Sequence, residues 1–492
     1  MRDMHVGVIT SSLGAHGSTQ VCVANPSDVP PRPVNDRAHL MGSVRTGLAS
    51  WNDSGFLNWD PAGTATPAGE RDVTAFTSSL QAMIAATGDT GCGFEAPLEA
   101  MYRFLVDPEP PLDVSNDGTF TVLTGTDTTL LEQRAAFLRP DSAVLVVLLS
   151  DEDDCSIVEE PGRQGWLVGQ SMRMPRGSDA CAEPDDPNVY RCCIPCVLLD
   201  SPGFTPAAGC SYATDVACST PAASGGHSLT TLEDSTNLRC YRQTQRFGID
   251  FLYRVDRYVT GLTASQITNR AGAIVPNPLF SGGRSPELVL LTTIVGVPWQ
   301  DLVIATENFD GYELMTAKEL RDYGRFPVVL GDFERGVPPT DPFMIDAVDA
   351  RSGRNPLTNQ PIEPPSASPT ATINGHEQIV ANRDDLQYAC TFALPQPIPC
   401  TTANQDGCDC NASEQAYSRP LCEYPAANAD GTQVYAKAYP GRRELEVARR
   451  LRDQAIILSI CPRTLADANH PSYGYVPAMR AIQRQLRSIL VQ

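Results

Sequence analysis

The sequence predicts an α/β protein, a doubly wound and mainly parallel sheet interrupted by two irregular, Cys-rich insertions. Three observations carry that expectation. Apolar runs at 143–150, 288–295 and 454–460 lack polar alternation and are short, which is how strands covered on both faces read. Amphipathic helical segments lie between them, as crossover connections between parallel strands require. Cysteines cluster at 181–240 and 390–422, in Pro/Gly/Ser/Asp-rich sequence with little period. The expected partition is 1–154 for the first part of the core and 155–240 for a Cys-rich insertion. A core helix and strand follow at 241–310, a Pro/Cys-rich insertion at 311–440, and a final core strand and helix at 441–492.

Taken in order, His5-Val-Gly-Val-Ile-Thr10 reads as a buried strand parallel to the other three. Residues 14–70 are rich in Gly, Pro, Asn and Asp and read as surface loop. Helices are expected at 73–87, with Phe76, Leu80 and Met83 inward, at 95–105, and at 130–137 leading into strand 143–150. One long amphipathic helix is expected over 245–262, through Phe247, Phe251, Val255 and Tyr258. Strand 288–295, irregular chain over 310–440, a helix at 442–451, strand 454–460 and a closing helix at 476–490 complete the reading. Strands 143–150, 288–295 and 454–460 are expected to be successive neighbours.

The chain has 492 residues and a formal charge of -21. A nucleic-acid binder needs a basic face, and an anionic membrane surface repels such a chain, so cations or basic partners fit better. No apolar run is long enough to span a bilayer. Sixteen cysteines are many for a reducing compartment, and disulfides are expected for most of them. Cys92, Cys155, Cys192, Cys193, Cys196, Cys408 and Cys410 are the foremost candidates, with Cys155 or Cys22 as the partner of Cys92. Zinc is the alternative for Cys192-Cys193-Ile-Pro-Cys196 and Cys408-Asp-Cys410, but no paired CxxC frame accompanies them. Oxidised cysteines imply export to the cell envelope or beyond, while the N-terminus lacks a leader pattern.

Strand 143–150 ends in Asp151-Glu152-Asp153-Asp154. Ligands of parallel sheets sit past the carboxyl ends of strands, and oxygen-rich sites suit Mg²⁺ or Ca²⁺. The competing reading is a set of carboxylates at a helix start.

The order of pieces resembles a von Willebrand factor A-type domain of the kind found in bacterial cell-envelope proteins. The likeness rests on His5–Thr10, Gly91-Cys-Gly-Phe-Glu-Ala-Pro-Leu-Glu-Ala100 and Leu149-Ser-Asp-Glu-Asp-Asp-Cys-Ser156. It extends to Asp341-Pro-Phe-Met-Ile345, Asp384-Asp-Leu-Gln-Tyr-Ala-Cys390, Ala438-Tyr-Pro-Gly441, Ser459-Ile-Cys-Pro462 and Tyr473-Gly-Tyr475. The resemblance implies a metal-ion-dependent adhesion site in which Asp151 and Thr90 are ligands, with Asp153 beside them. The D-x-S-x-S motif of such sites is absent. The expectation is therefore a chain that starts downstream of the domain's first strand and binds cation weakly or not at all.

Nucleophile patterns are missing: no G-x-S-x-G and no H-E-x-x-H. His5, His16, His39, His227, His376 and His470 read as surface or structural. Cys92 at a helix start could be an activated thiolate but reads as a disulfide partner, and Glu95 and Glu99 as capping charges. The reading that results is an exported, non-enzymatic binding module for a protein or cell-surface ligand. The alternatives are a structural cell-envelope protein with a metal-free core, and a divalent-metal hydrolase.

Overall fold

A computed structural model of the chain describes residues 3–24, 33–88, 91–140, 142–219, 226–304, 314–359, 361–363, 377–401, 408–417 and 419–490. Two compact units form, and each draws on separated stretches of sequence. The first comprises Met1–Val144, Cys155–Gln170 and Leu252–Val289. The second comprises Leu145–Asp154, Ser171–Phe251 and Leu290–Gln492.

In the first unit, Pro97–Leu105 is the central helix, and every side chain from Leu98 to Leu105 is buried. Pro97 suits its first turn, where a missing N–H costs nothing. Glu99 is buried with it and takes a two-point ion pair from Arg257 at 2.9 and 3.0 Å. Glu99 is thus a core anchor rather than a capping charge. Two further helices have the caps their sequences supply: Asp72 accepts from the Ala75 N–H, and Asp127 from that of Leu130. These helices are Val73–Ala85 and Thr128–Phe137.

The first predicted strand does not join the parallel sheet. It is Met4–Val6, pairing antiparallel with Leu57–Trp59 in a two-stranded sheet of its own. The stretch read as surface loop, 14–70, therefore holds a buried strand, and Leu40, Met41 and Phe56 are fully enclosed. Its Gly/Pro/Asn content set the turns but did not keep its apolar residues out of the core.

The second unit contains the parallel three-stranded sheet. Val144–Leu149, Val289–Val295 and Ala455–Ser459 lie side by side in that order. The expected adjacency of these three holds, with Ala455 opposite Leu291 and Ser459 opposite Val295. All residues of the central strand and of Ala455–Ser459 are buried. The outer strand is covered on one face, whereas Val147 and Leu149 are 48% and 56% exposed. Three strands with one half-open edge are a coarser architecture than the doubly wound sheet expected.

Two other expectations fail. The helix over 245–262 is broken: Gln243–Phe247 stops at Gly248, and Asp256–Thr263 is separate. Gly248 has φ of 72°, and a Cβ there would lie 2.3 Å from the carbonyl carbon of Ile194. The chain turns because only glycine fits. The segment read as irregular, 310–440, contains a three-stranded antiparallel sheet in which Thr432–Ala438 pairs with Cys390–Pro399 and Cys422–Glu423.

Every cysteine is disulfide-bonded and none is free. Cys92 pairs with Cys22, the second of the two partners considered. Cys192 pairs with Cys210, Cys193 with Cys181, and Cys196 with Cys218. Cys408 pairs with Cys400, Cys410 with Cys422, and Cys390 with Cys461. These bridges do for the irregular blocks what a larger core would otherwise do.

Candidate functional site

The acidic run lies where the sequence places it, just past the Val144–Leu149 strand, and its backbone is tied down. Ser150 donates to the Ile294 carbonyl of the central strand at 3.2 Å, and its hydroxyl donates to the Glu152 carbonyl at 2.9 Å. The Tyr439 N–H donates to the Asp151 carbonyl at 2.7 Å. That approach requires Gly296, where a Cβ would lie 1.7 Å from the Tyr439 oxygen.

The side chains are met by the protein's own cations and protons. Asp153 accepts from the Arg443 N–H at 2.8 Å, in the first turn of the helix Arg442–Leu451. Asp154, buried, takes the Arg443 guanidinium Nε at 3.1 Å. Burial pushes the Asp151 carboxyl up, and the Lys437 ammonium works against that. Lys437 itself is held by Asp409 at 2.8 and 2.9 Å.

Behind Asp153 stands Glu444, which is 0% exposed and adjoins the Asp153 carboxyl. Burial and the adjoining Asp153 push Glu444 well above the carboxylate range. Burial and Asp346 push Asp153 up to about 6. The two carboxyls share a proton, since two such anions side by side in a buried place cannot both ionise. Asp346 is neutralised separately by Arg442 at 2.9 Å.

Thr90, the second expected ligand, lies outside the described residues. Among the described residues, no three carboxylate or imidazole ligand atoms come within 4.8 Å of one another at Asp151 and Asp153. Among the described residues, the group that meets this spacing is Cys196, Asp215 and Cys218, and its two sulfurs are bonded to each other. Asp215 there accepts from the N–H groups of Cys218 and Asp179 at 2.8 and 3.0 Å. It is a loop brace, and its cysteines carry no thiolate to offer a metal.

Two buried polar groups escaped the sequence reading. Six residues past Val295, Asp301 meets Asp341 through Asn355, whose amide donates to them at 3.2 and 2.7 Å. Burial and the partner carboxylate push Asp301 well above its ordinary value, and burial raises Asp341. Both are 0% exposed, so no substrate reaches them. The pair is a buried strut bridged by Asn355.

The other group is in the first unit. The turn Leu13-Gly-Ala-His16-Gly-Ser18 places His16 at φ 51°, a left-handed conformation, with glycines on either side of it at positive φ. His16 is 1% exposed, and its Nδ1 lies 2.7 Å from Glu159. The second oxygen of Glu159 pairs with Arg103 of the central helix. Burial opposes ionisation of Glu159, but Arg103 and His16 outweigh it and hold the carboxyl below its ordinary value. An ionised carboxylate only accepts, so His16 Nδ1 carries the proton. His16 Nε2 and Arg103 Nε are buried with no partner among the described residues. Both residues line a cavity of about 60 Å³, with Ser18, Asn35, Arg37, Leu112 and Asp113. The legible signal was a histidine flanked by glycines in a turn, since histidine is enriched at positive φ.

No protein-family model, curated protein or solved structure matches this chain.

Proposed function

We propose that the chain is an exported, non-enzymatic binding module of the cell envelope or extracellular space. It presents its disulfide-stapled segments to a protein or cell-surface ligand. Its acidic loop is an internal latch rather than a cation-bridging adhesion site. The observation that carries this reading is Arg443, whose backbone N–H meets Asp153 and whose guanidinium meets Asp154. A guanidinium and a shared proton already neutralise the cluster, so a divalent ion would have to displace both and shed its own water. Export is supported by the complete oxidation of the cysteines. Among the described residues no helix is long and apolar enough to cross a membrane. The A-type resemblance is supported by the neighbour order of the three parallel strands and by the loop at their carboxyl ends.

Calorimetric titration with Mg²⁺ and Ca²⁺ tests the latch. The expected result is binding weaker than about 1 mM, unchanged in Asp151→Ala. Tight binding that Asp151→Ala abolishes would restore the adhesion-site reading. Thiol titration of the unfolded, unreduced native protein tests export, and few free thiols are expected.

A further inference from the structure

We propose that the cavity beside His16 binds a small oxyanion of phosphate size, a role independent of the acidic loop. The site is built rather than incidental. Glu159 fixes the His16 ring through Nδ1 and the Arg103 guanidinium through its other oxygen, and both residues line the cavity. Each is left with one unpartnered buried nitrogen. Such atoms are uncommon in folded proteins and call for an occupant.

The chemistry of the two nitrogens selects it. Arg103 Nε–H can only donate, so the occupant offers an acceptor oxygen. His16 Nε2, with the proton held on Nδ1, accepts from an acidic hydroxyl. Hydrogen phosphate carries both an anionic oxygen and a P–O–H. Arg37 lies on the exposed rim, and no carboxylate among the described residues pairs with it. Its guanidinium can close over the anion as a two-point donor. Asn35 adds an amide, while Asp113 on the rim opposes the anion and limits affinity. A divalent cation is the wrong occupant, because two guanidinium groups line the same space. The volume, about 60 Å³, exceeds what one water needs and admits an ion of this size.

The test is titration of the intact, oxidised protein with inorganic phosphate at pH 7 and constant ionic strength, with chloride as control. Two variants accompany it. Arg37→Gln changes an exposed side chain and leaves the fold alone. His16→Asn keeps a residue that tolerates the left-handed backbone. The expected result is saturable one-site binding by the parent, weakened about tenfold or more by each variant, in protein whose melting shows it folded. Absence of saturable phosphate binding by the parent, or parent-like binding by either variant, would overturn the proposal and leave water as the occupant.

Discussion

The acidic loop and the His16 turn treat buried charge in opposite ways. At the loop, four consecutive carboxylates look like an open invitation to a cation. Yet Arg443 holds Asp153 and Asp154, and Asp153 shares a proton with Glu444. At the His16 turn, a short Gly-rich segment looks like ordinary surface. Yet His16 and Arg103 keep unpartnered nitrogens beside a cavity. Density of charge along the chain is therefore a poor guide to a binding site. What marks one is polar groups that are oriented, desolvated and still unsatisfied.

The largest effect should come from breaking the latch. Arg443→Met leaves Asp154 buried without its guanidinium, and about 3–5 kcal/mol of stability should be lost in urea titration. Loss below about 1 kcal/mol would mean the loop is solvated and the contrast false. Next comes the bridge Cys22–Cys92, which closes a loop of 70 residues in the unit that carries the His16 turn. Replacing both cysteines by alanine should cost about 4 kcal/mol and weaken phosphate binding with it.

The shared protons give a smaller, pH-dependent effect. Asp153 and Glu444 have raised pKa values in the folded state, so folding stabilises their protonated form. That contribution is complete below the unfolded carboxylate pKa and is lost as pH rises through about 6 for Asp153. Asp301 and Asp341 act in the same sense. Thermal melting should thus show stability falling from about pH 4 to just above pH 6, by at most roughly 3 kcal/mol from Asp153. Glu444→Gln, which needs no shared proton, should flatten the fall. An unchanged slope would assign it to other groups. The smallest effect is expected at Arg37→Gln, within about 0.5 kcal/mol of the parent, because the residue serves a ligand and not the fold.

The parallel strands were legible because Val289–Val295 and Ala455–Ser459 are apolar on both faces and nothing local competes with that pattern. The strand at Met4–Val6 was legible as a strand but not in its pairing, which depends on Leu57–Trp59 in a stretch whose composition reads as loop. The break at Gly248 was hidden because Phe247, Phe251, Val255 and Tyr258 keep helical spacing across it and are all buried. Asp153 and Asp154 were visible from their position, but their partner Arg443 lies 290 and 289 residues away along the chain. The His16 site joins a turn, a helix and Glu159, and His16 and Glu159 are 143 positions apart. No local motif spans that distance.

One measurement sets the two regions against each other directly: the melting temperature of the oxidised parent titrated separately with Ca²⁺ and with inorganic phosphate at equal ionic strength. A ligand that binds only the folded form raises it in proportion to the logarithm of its concentration above Kd. The expected result is a rise with phosphate that Arg37→Gln removes, and no rise with Ca²⁺. A rise with Ca²⁺ that Asp151→Ala removes, with none for phosphate, would contradict the account.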